Sequence, residues 1–196
     1  MLEVLTGAGL AAAAGVNAYI PLLVLGLIGR FTDLITLPAG WTWLENPWVL
    51  GILGFLLVLD VVADKIPAVD SLNDVVQTVI RPTAGGIAFG SGFGAETVAV
   101  QDPSVALDNG QWVPIVAGVV IALIIHLLKM GVRPVANAAT AGFAAPVLSI
   151  AEDVGSLFAS ILALVVPVLV VLVAVTLAIL GWRVLRKRRR RLANPA

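Results

Sequence analysis

The chain has no cysteine, little charge and only one histidine. The lack of cysteine excludes disulfides, thiolate metal sites and cysteine nucleophiles, although it does not identify a compartment. Charged residues are 12% of the sequence, about half the roughly 25% of a soluble domain and too few to coat a water-facing surface. The opening MLEVLTGAGL has neither the positively charged start nor the cleavage site of a secretory signal, so the first apolar segment is expected to be retained. A formal net charge of zero conceals strong segregation, because the basic residues crowd towards the C-terminus.

Apolar residues are abundant, at 60% of the chain with a mean hydropathy of +1.04. The 196 residues suffice for one compact bundle. The composition predicts an all-α integral membrane domain over residues 1–182, followed by a basic cytoplasmic tail over 183–196. Residues 4–29 and 154–182 carry no charge, and a crossing needs about 20 apolar residues. Residues 47–63 are interrupted only by Asp60 and residues 112–128 only by His126. Two weaker segments, 83–100 and 134–150, are rich in small residues and read either as thin spans or as re-entrant pieces. The expectation is six crossings, or four plus two re-entrant segments.

Basic residues set the orientation. Arg183, Arg186, Lys187 and Arg188 to Arg191 follow the last apolar run and place that end in the cytoplasm. With six crossings, Lys65, Arg81, Lys129 and Arg133 fall on the same side and only Arg30 falls outside, so both termini are expected to be cytoplasmic. Trp41, Trp43, Trp48 and Trp112 then mark the outer interface and Trp182 the inner one. Trp48 to Lys65 and Trp112 to Lys129 share one spacing, which suggests an internal parallel repeat or, equally, a chance likeness between apolar helices.

The densest polar stretch is DVVADKIPAVDSLND, Asp60 to Asp74. Asp60 and Asp64 are four apart and share a helix face; Asp70 and Asp74 repeat the spacing beyond Pro67. Four carboxylates at the inner mouth of a bundle can bind a cation through hard oxygen ligands or relay protons, with Lys65 and Arg81 as compensating charges and Asn73 between them. The structural reading is an interfacial turn in which Asp70 and Asp74 favour a helix dipole and Lys65 snorkels. Asn17 lies near the middle of the first run, and Pro21 removes the helical hydrogen bond to its carbonyl, giving a cation or solute ligand pair or simply a kink. Asn137, followed by Pro146, has a similar setting. His126, Glu152 and Asp153 are candidate proton-relay groups; the alternatives are an interfacial histidine and a charged helix start. The glycines of TAGGIAFGSGFG are not followed by the Lys-Ser/Thr of a phosphate loop, so they read as close helix packing or a re-entrant turn. The arginine tail attracts anionic lipid and does not by itself indicate nucleic acid.

The stretches GVNAYIPLLVLGLIGRFTDL and VVADKIPAVDSLNDVVQTVIRPTAGG resemble an uncharacterised bacterial membrane family, domain of unknown function 4126. The likeness extends over nearly the whole chain up to the arginine tail. It implies a bacterial inner (plasma) membrane location and carries over no activity, but it rests on Asn17, Asp64, Lys65, Pro67, Asp70 and Asp74.

A transporter or channel for a cation or small polar solute is the expected function, with no cofactor beyond a monovalent or divalent cation. The metal candidates are Asp60, Asp64, Asp70 and Asp74. The expected partners are membrane lipids, anionic headgroups at the basic tail and a second copy of the chain, since six short helices enclose little volume. Two alternatives stand beside it. One is a Mg²⁺-dependent enzyme acting on a lipid phosphate, against which the segment lacks the residues that phosphatidyl and prenyl transferases place around their aspartates. The other is a non-catalytic lipid-translocating or scaffold protein.

Overall fold

A computed structural model describes residues 1–97, 100, 112–141 and 143–169, with positions 172, 176, 179 and 183, apart from the side chains at 67, 68, 70, 71 and 137. The described chain is helical except for one two-residue antiparallel pair. In order it comprises α1 (Leu2–Val16), α2 (Tyr19–Phe31), β1 (Ile35–Thr36), a 3-10 turn (Thr42–Glu45), α3 (Pro47–Ala63), α4 (Pro67–Phe93), β2 (Glu96–Thr97), α5 (Trp112–Ala139) and α6 (Ala144–Val165). Ile35 pairs with Thr97 and Thr36 with Glu96. The arginines from Arg186 onward and Trp182 lie outside the described residues.

The first apolar run is not a single crossing. Asn17 is extended, at φ −140° and ψ 122°, and the chain reverses there. Gly7 packs on Phe89, and Gly92 packs on Leu10 and Thr6, so α1 starts beside the C-terminal end of α4. Gly26 of α2 packs on Leu44 and Leu50, and the neighbouring Trp41 covers Gly90 of α4. Both ends of the α1–α2 pair therefore return to one end of the bundle, and Asn17 is the tip of a helical hairpin. The two arms have 15 and 13 residues, about 20 Å each, too short to cross the roughly 30 Å hydrocarbon layer singly. Pro21 sits in the first turn of α2, where its missing N–H breaks no helical bond. Two half-helices have the same charge-free length as one span, which is why the sequence predicts a single crossing.

The other departures have one cause. Residues 83–93 are the second half of α4, not a separate segment, and 134–139 complete α5 while 144–150 begin α6. Lys129 and Arg133 thus lie inside α5 and not in a basic turn; α4 and α5 continue through Pro82 and Pro134. Their basic residues face inward, so charge in the sequence does not mark a helix end here. α3 and α5 do run in the same direction, each opened by an exposed tryptophan, Trp48 and Trp112. The proposed repeat ends there, because Lys65 lies beyond the end of α3 and is exposed, whereas Lys129 is buried within α5.

The outside of the bundle is apolar and half of its inside is polar. Phe55, Val79, Leu128 and Phe158 are among many large apolar side chains on the surface, whereas Arg81, Arg133, His126, Gln77 and Asn17 are buried. Trp112–Ala136 and Ala144–Val165 are long and apolar enough to cross a membrane. An apolar core of Leu10, Ala14, Leu25, Leu44, Ala88 and neighbours fills the hairpin end. Polar side chains fill the other half, towards the short 64–66 and 140–143 connections.

Small residues let the helices approach. At the α4–α5 crossing a Cβ on Gly85 would sit 2.7 Å from the Gly118 carbonyl oxygen and against Ala122. Close crossings of this kind gain dispersion and require glycine. Gly85→Val is expected to destabilise the purified protein by about 1–3 kcal/mol through overpacking, measured by thermal unfolding in detergent. Gly131→Ala and Gly155→Ala, where a Cβ meets open space, should leave the transition unchanged or raise it.

Candidate functional site

Four elements meet at the hairpin tip. The Asn17 side-chain oxygen Oδ1 accepts from the backbone N–H of Tyr19 at 3.0 Å and of Ile20 at 3.3 Å, capping α2. Its amide nitrogen donates to Asp60 Oδ2 of α3 at 3.2 Å and to Asp153 Oδ1 of α6 at 2.9 Å. Two carboxylates from separate helices are therefore held against one nitrogen. Asp60 Oδ1 accepts from Asn73 and Gln77 of α4, both at 2.7 Å, and Gln77 also reaches the Tyr19 hydroxyl at 3.5 Å. Asp60 is buried among amides and makes no ion pair with any described cation.

One helical turn towards the short connections lies an ion-pair network. Asp64 Oδ2 accepts from Arg133 Nη2 at 2.9 Å and lies 3.5 Å from Lys129 Nζ, while its Oδ1 accepts from Asn73 at 2.9 Å. Glu152 binds Lys129 at 3.0 Å and Arg133 through both Nε and Nη2. Lys129 also donates to the Val16 carbonyl at 3.2 Å, placing a cation on the negative end of α1. Ser156 secures the same helix end from α6 by donating to the Ala13 carbonyl at 3.0 Å.

A third group joins α4 to α5. Arg81 Nη1 faces His126 Nδ1 at 3.3 Å, and His126 Nε2 faces the Thr78 hydroxyl at 3.1 Å. Thr78 donates its own proton to the Asp74 carbonyl at 2.9 Å. A guanidinium only donates, so His126 Nδ1 must accept and Nε2 carries the proton. This neutral tautomer, held from both sides, makes His126 a positioning group for Arg81 in this arrangement.

Asn17, Asp60, Asp64, Asn73, Asp74, His126, Glu152 and Asp153 are therefore brought together, as residues of four helices and a hairpin tip. Asp60 and Asp64 share a face, as their spacing predicts. Lys65 is apart, exposed beyond α3. The side chains of Asp70 and Asn137 lie outside the described residues. The expected four-aspartate metal cluster includes Asp70, whose side chain lies outside the described residues; among the described residues no three His, Asp or Glu side chains are placed to hold one ion. The Asp60 carboxylate faces amides and that of Asp64 faces cations, whereas Asp74 joins the histidine group only through its main-chain carbonyl and its Oδ1 has no hydrogen-bond partner among the described residues. Gln77 and Tyr19 are additions that the sequence reading lacks, and Lys129, Arg133 and Arg81 move from the surface to the interior. The available signal was spacing: 73, 74, 77 and 81 on α4 and 126, 129 and 133 on α5 each make a polar stripe.

Across the site five carboxylates (Asp60, Asp64, Asp74, Glu152 and Asp153) face three fixed cations (Arg81, Lys129 and Arg133).

A family model described as Domain of unknown function (DUF4126) matches residues 4–187. No curated protein and no solved structure matches the chain.

Removing one member of a buried ion pair strands the other. Arg133→Leu, which leaves Asp64 and Glu152 with Lys129 alone, is expected to cost about 3–5 kcal/mol of stability. Arg133→Lys should lose less because it keeps the charge. Thermal unfolding of the detergent-solubilised variants measures both.

Proposed function

The chain belongs to the DUF4126 family, and we propose that it is a multi-pass integral membrane protein that moves a cation, proton or small polar solute through the polar half of its bundle. The apolar exterior and polar interior support the membrane setting, since a soluble protein of this size rarely exposes so much apolar surface. Arg81, Lys129 and Arg133 lie inside and leave the orientation argument. That leaves exposed Lys65 at the end with the short connections and exposed Arg30 at the hairpin end, which balance each other. The N-terminus shares the hairpin end with the 32–46 connection and with Trp41, Trp43, Trp48 and Trp112, so it lies on the side of the outer-interface tryptophans in this reading, where the sequence alone suggests a cytoplasmic N-terminus.

One observation carries the transport reading: the re-entrant tip at Asn17 holds Asp60 and Asp153 side by side near the midpoint of the bundle. Transporters build midplane ion sites from broken helices in this way, with exposed helix ends and carboxylates converging on one point. Ionisable groups at such depth are costly and mark ion or proton pathways. Asp60 and Asp153 lack a cationic partner among the described residues, so a proton or monovalent cation shared between them relieves their repulsion. Asp64 and Glu152, already paired to Lys129 and Arg133, form a closed gate between this point and the end with the short connections.

Reconstituted liposomes with an internal pH dye and an imposed Na⁺ or K⁺ gradient test this. Asp60→Asn and Asp153→Asn are each expected to slow flux at least about tenfold in a protein that still elutes as a folded species. Lys65→Gln should retain the wild-type rate. Undiminished flux in both aspartate variants would remove the reading.

A further inference from the structure

Arg81 is fully buried, more so than any other charged side chain among the described residues, and its hydrogen bonding is half complete. His126 takes Nη1. The opposite edge, Nε and Nη2, has no partner among the described residues, and Arg81 makes no ion pair with any described carboxylate. On the same face of α4, four and seven residues back, Gln77 Oε1 and Asp74 Oδ1 are also buried without a partner. Two unmet donors and two unmet acceptors thus line one helix face. Leaving such groups unsatisfied in an apolar interior is costly.

The Nε–Nη2 edge has a particular chemistry. Its two N–H groups point the same way and match the two oxygens of a carboxylate or a similar oxyanion, giving parallel charge-assisted bonds. His126, locked between Arg81 and Thr78, holds the guanidinium by its remaining nitrogen and leaves that edge free. Gln77 and Asp74 then offer acceptors to a hydrogen-bond donor on the same molecule.

We propose that Arg81, positioned by His126, binds the oxyanion of a small carboxylate solute whose amino or hydroxyl group is received by Gln77 and Asp74. Arg81 lies near the midpoint of α4, about 20 Å along the helix from Pro67, so the phosphates of resting bilayer lipids lie too far away to fill the edge. The inference rests on the transport reading for its role, naming the class of solute carried, whereas the carboxylate excess at Asp60 and Asp153 supplies the accompanying proton or cation. Binding itself is measured at equilibrium without flux, so the two readings fail separately.

The test uses the full chain in detergent, titrated with acetate, glycine, glycolate and methylammonium chloride at constant ionic strength, with thermal unfolding as the readout. Glycine and glycolate are expected to give saturable stabilisation, acetate a weaker one and methylammonium none. Arg81→Lys, which keeps the charge but loses the paired edge, should weaken the apparent affinity at least about tenfold. His126→Gln, whose carbonyl oxygen can accept from the same Nη1, should retain the response, and His126→Leu should lose it. If Arg81→Lys does not fold, the wild-type titrations decide. No saturable response to any carboxylate would mean that water alone satisfies the edge and would overturn the proposal. Stabilisation by phosphatidic acid micelles but by none of the soluble carboxylates would assign the edge to a lipid headgroup and overturn it equally.

Discussion

The carboxamide of Asn17 stands where two helices end, and most of the interior is arranged around it. Its oxygen caps the start of α2, which would otherwise leave backbone N–H groups bare in an apolar setting. Its nitrogen draws in one carboxylate from α3 and another from α6. Lys129 then satisfies the last carbonyl of α1, and that lysine in turn requires Asp64 and Glu152. Each polar group placed at the tip obliges another helix to supply a partner, because a buried polar group left unpaired is costly.

This requirement explains why the charges sit on helix faces and not at helix ends. α4 and α5 are the longest helices among the described residues, and their described ionisable side chains, Asp74 and Arg81 on one and His126, Lys129 and Arg133 on the other, lie buried along one stripe each. Their opposite faces are valine, isoleucine and leucine, and are exposed. Glycines where α4 and α5 cross bring the backbones close enough for the stripes to meet. The division of the bundle into an apolar half and a polar half follows from the hairpin's depth: its arms fill one half, and its tip opens the other.

The candidate site was legible in part. Asn17, Asp60 and Asp64 stand out in the sequence because each is a polar residue within an apolar run, where chance placement is costly. Gln77 and Tyr19 do not stand out, since neither is charged and both lie in segments that read as ordinary helix. Lys129 and Arg133 were visible but assigned to a turn, because counting basic residues for orientation presumes that they lie in loops. Lys65 was grouped with the aspartates by sequence proximity, yet the helix ends one residue before Asp64 and the lysine falls outside.

Composition and pattern alone determined that this is a helical protein with an apolar exterior, which polar residues are out of place in it, and that Asp60 shares a face with Asp64. These are properties of single segments, set by period and by transfer free energy. The reversal at Asn17, the partnership of Asp60 with Asp153, the inward turn of Lys129 and Arg133 and the open edge of Arg81 were decided only by the tertiary structure. A charge-free run has the same hydropathy whether it crosses once or folds back, and a charged residue shows its partner only when another helix is brought beside it.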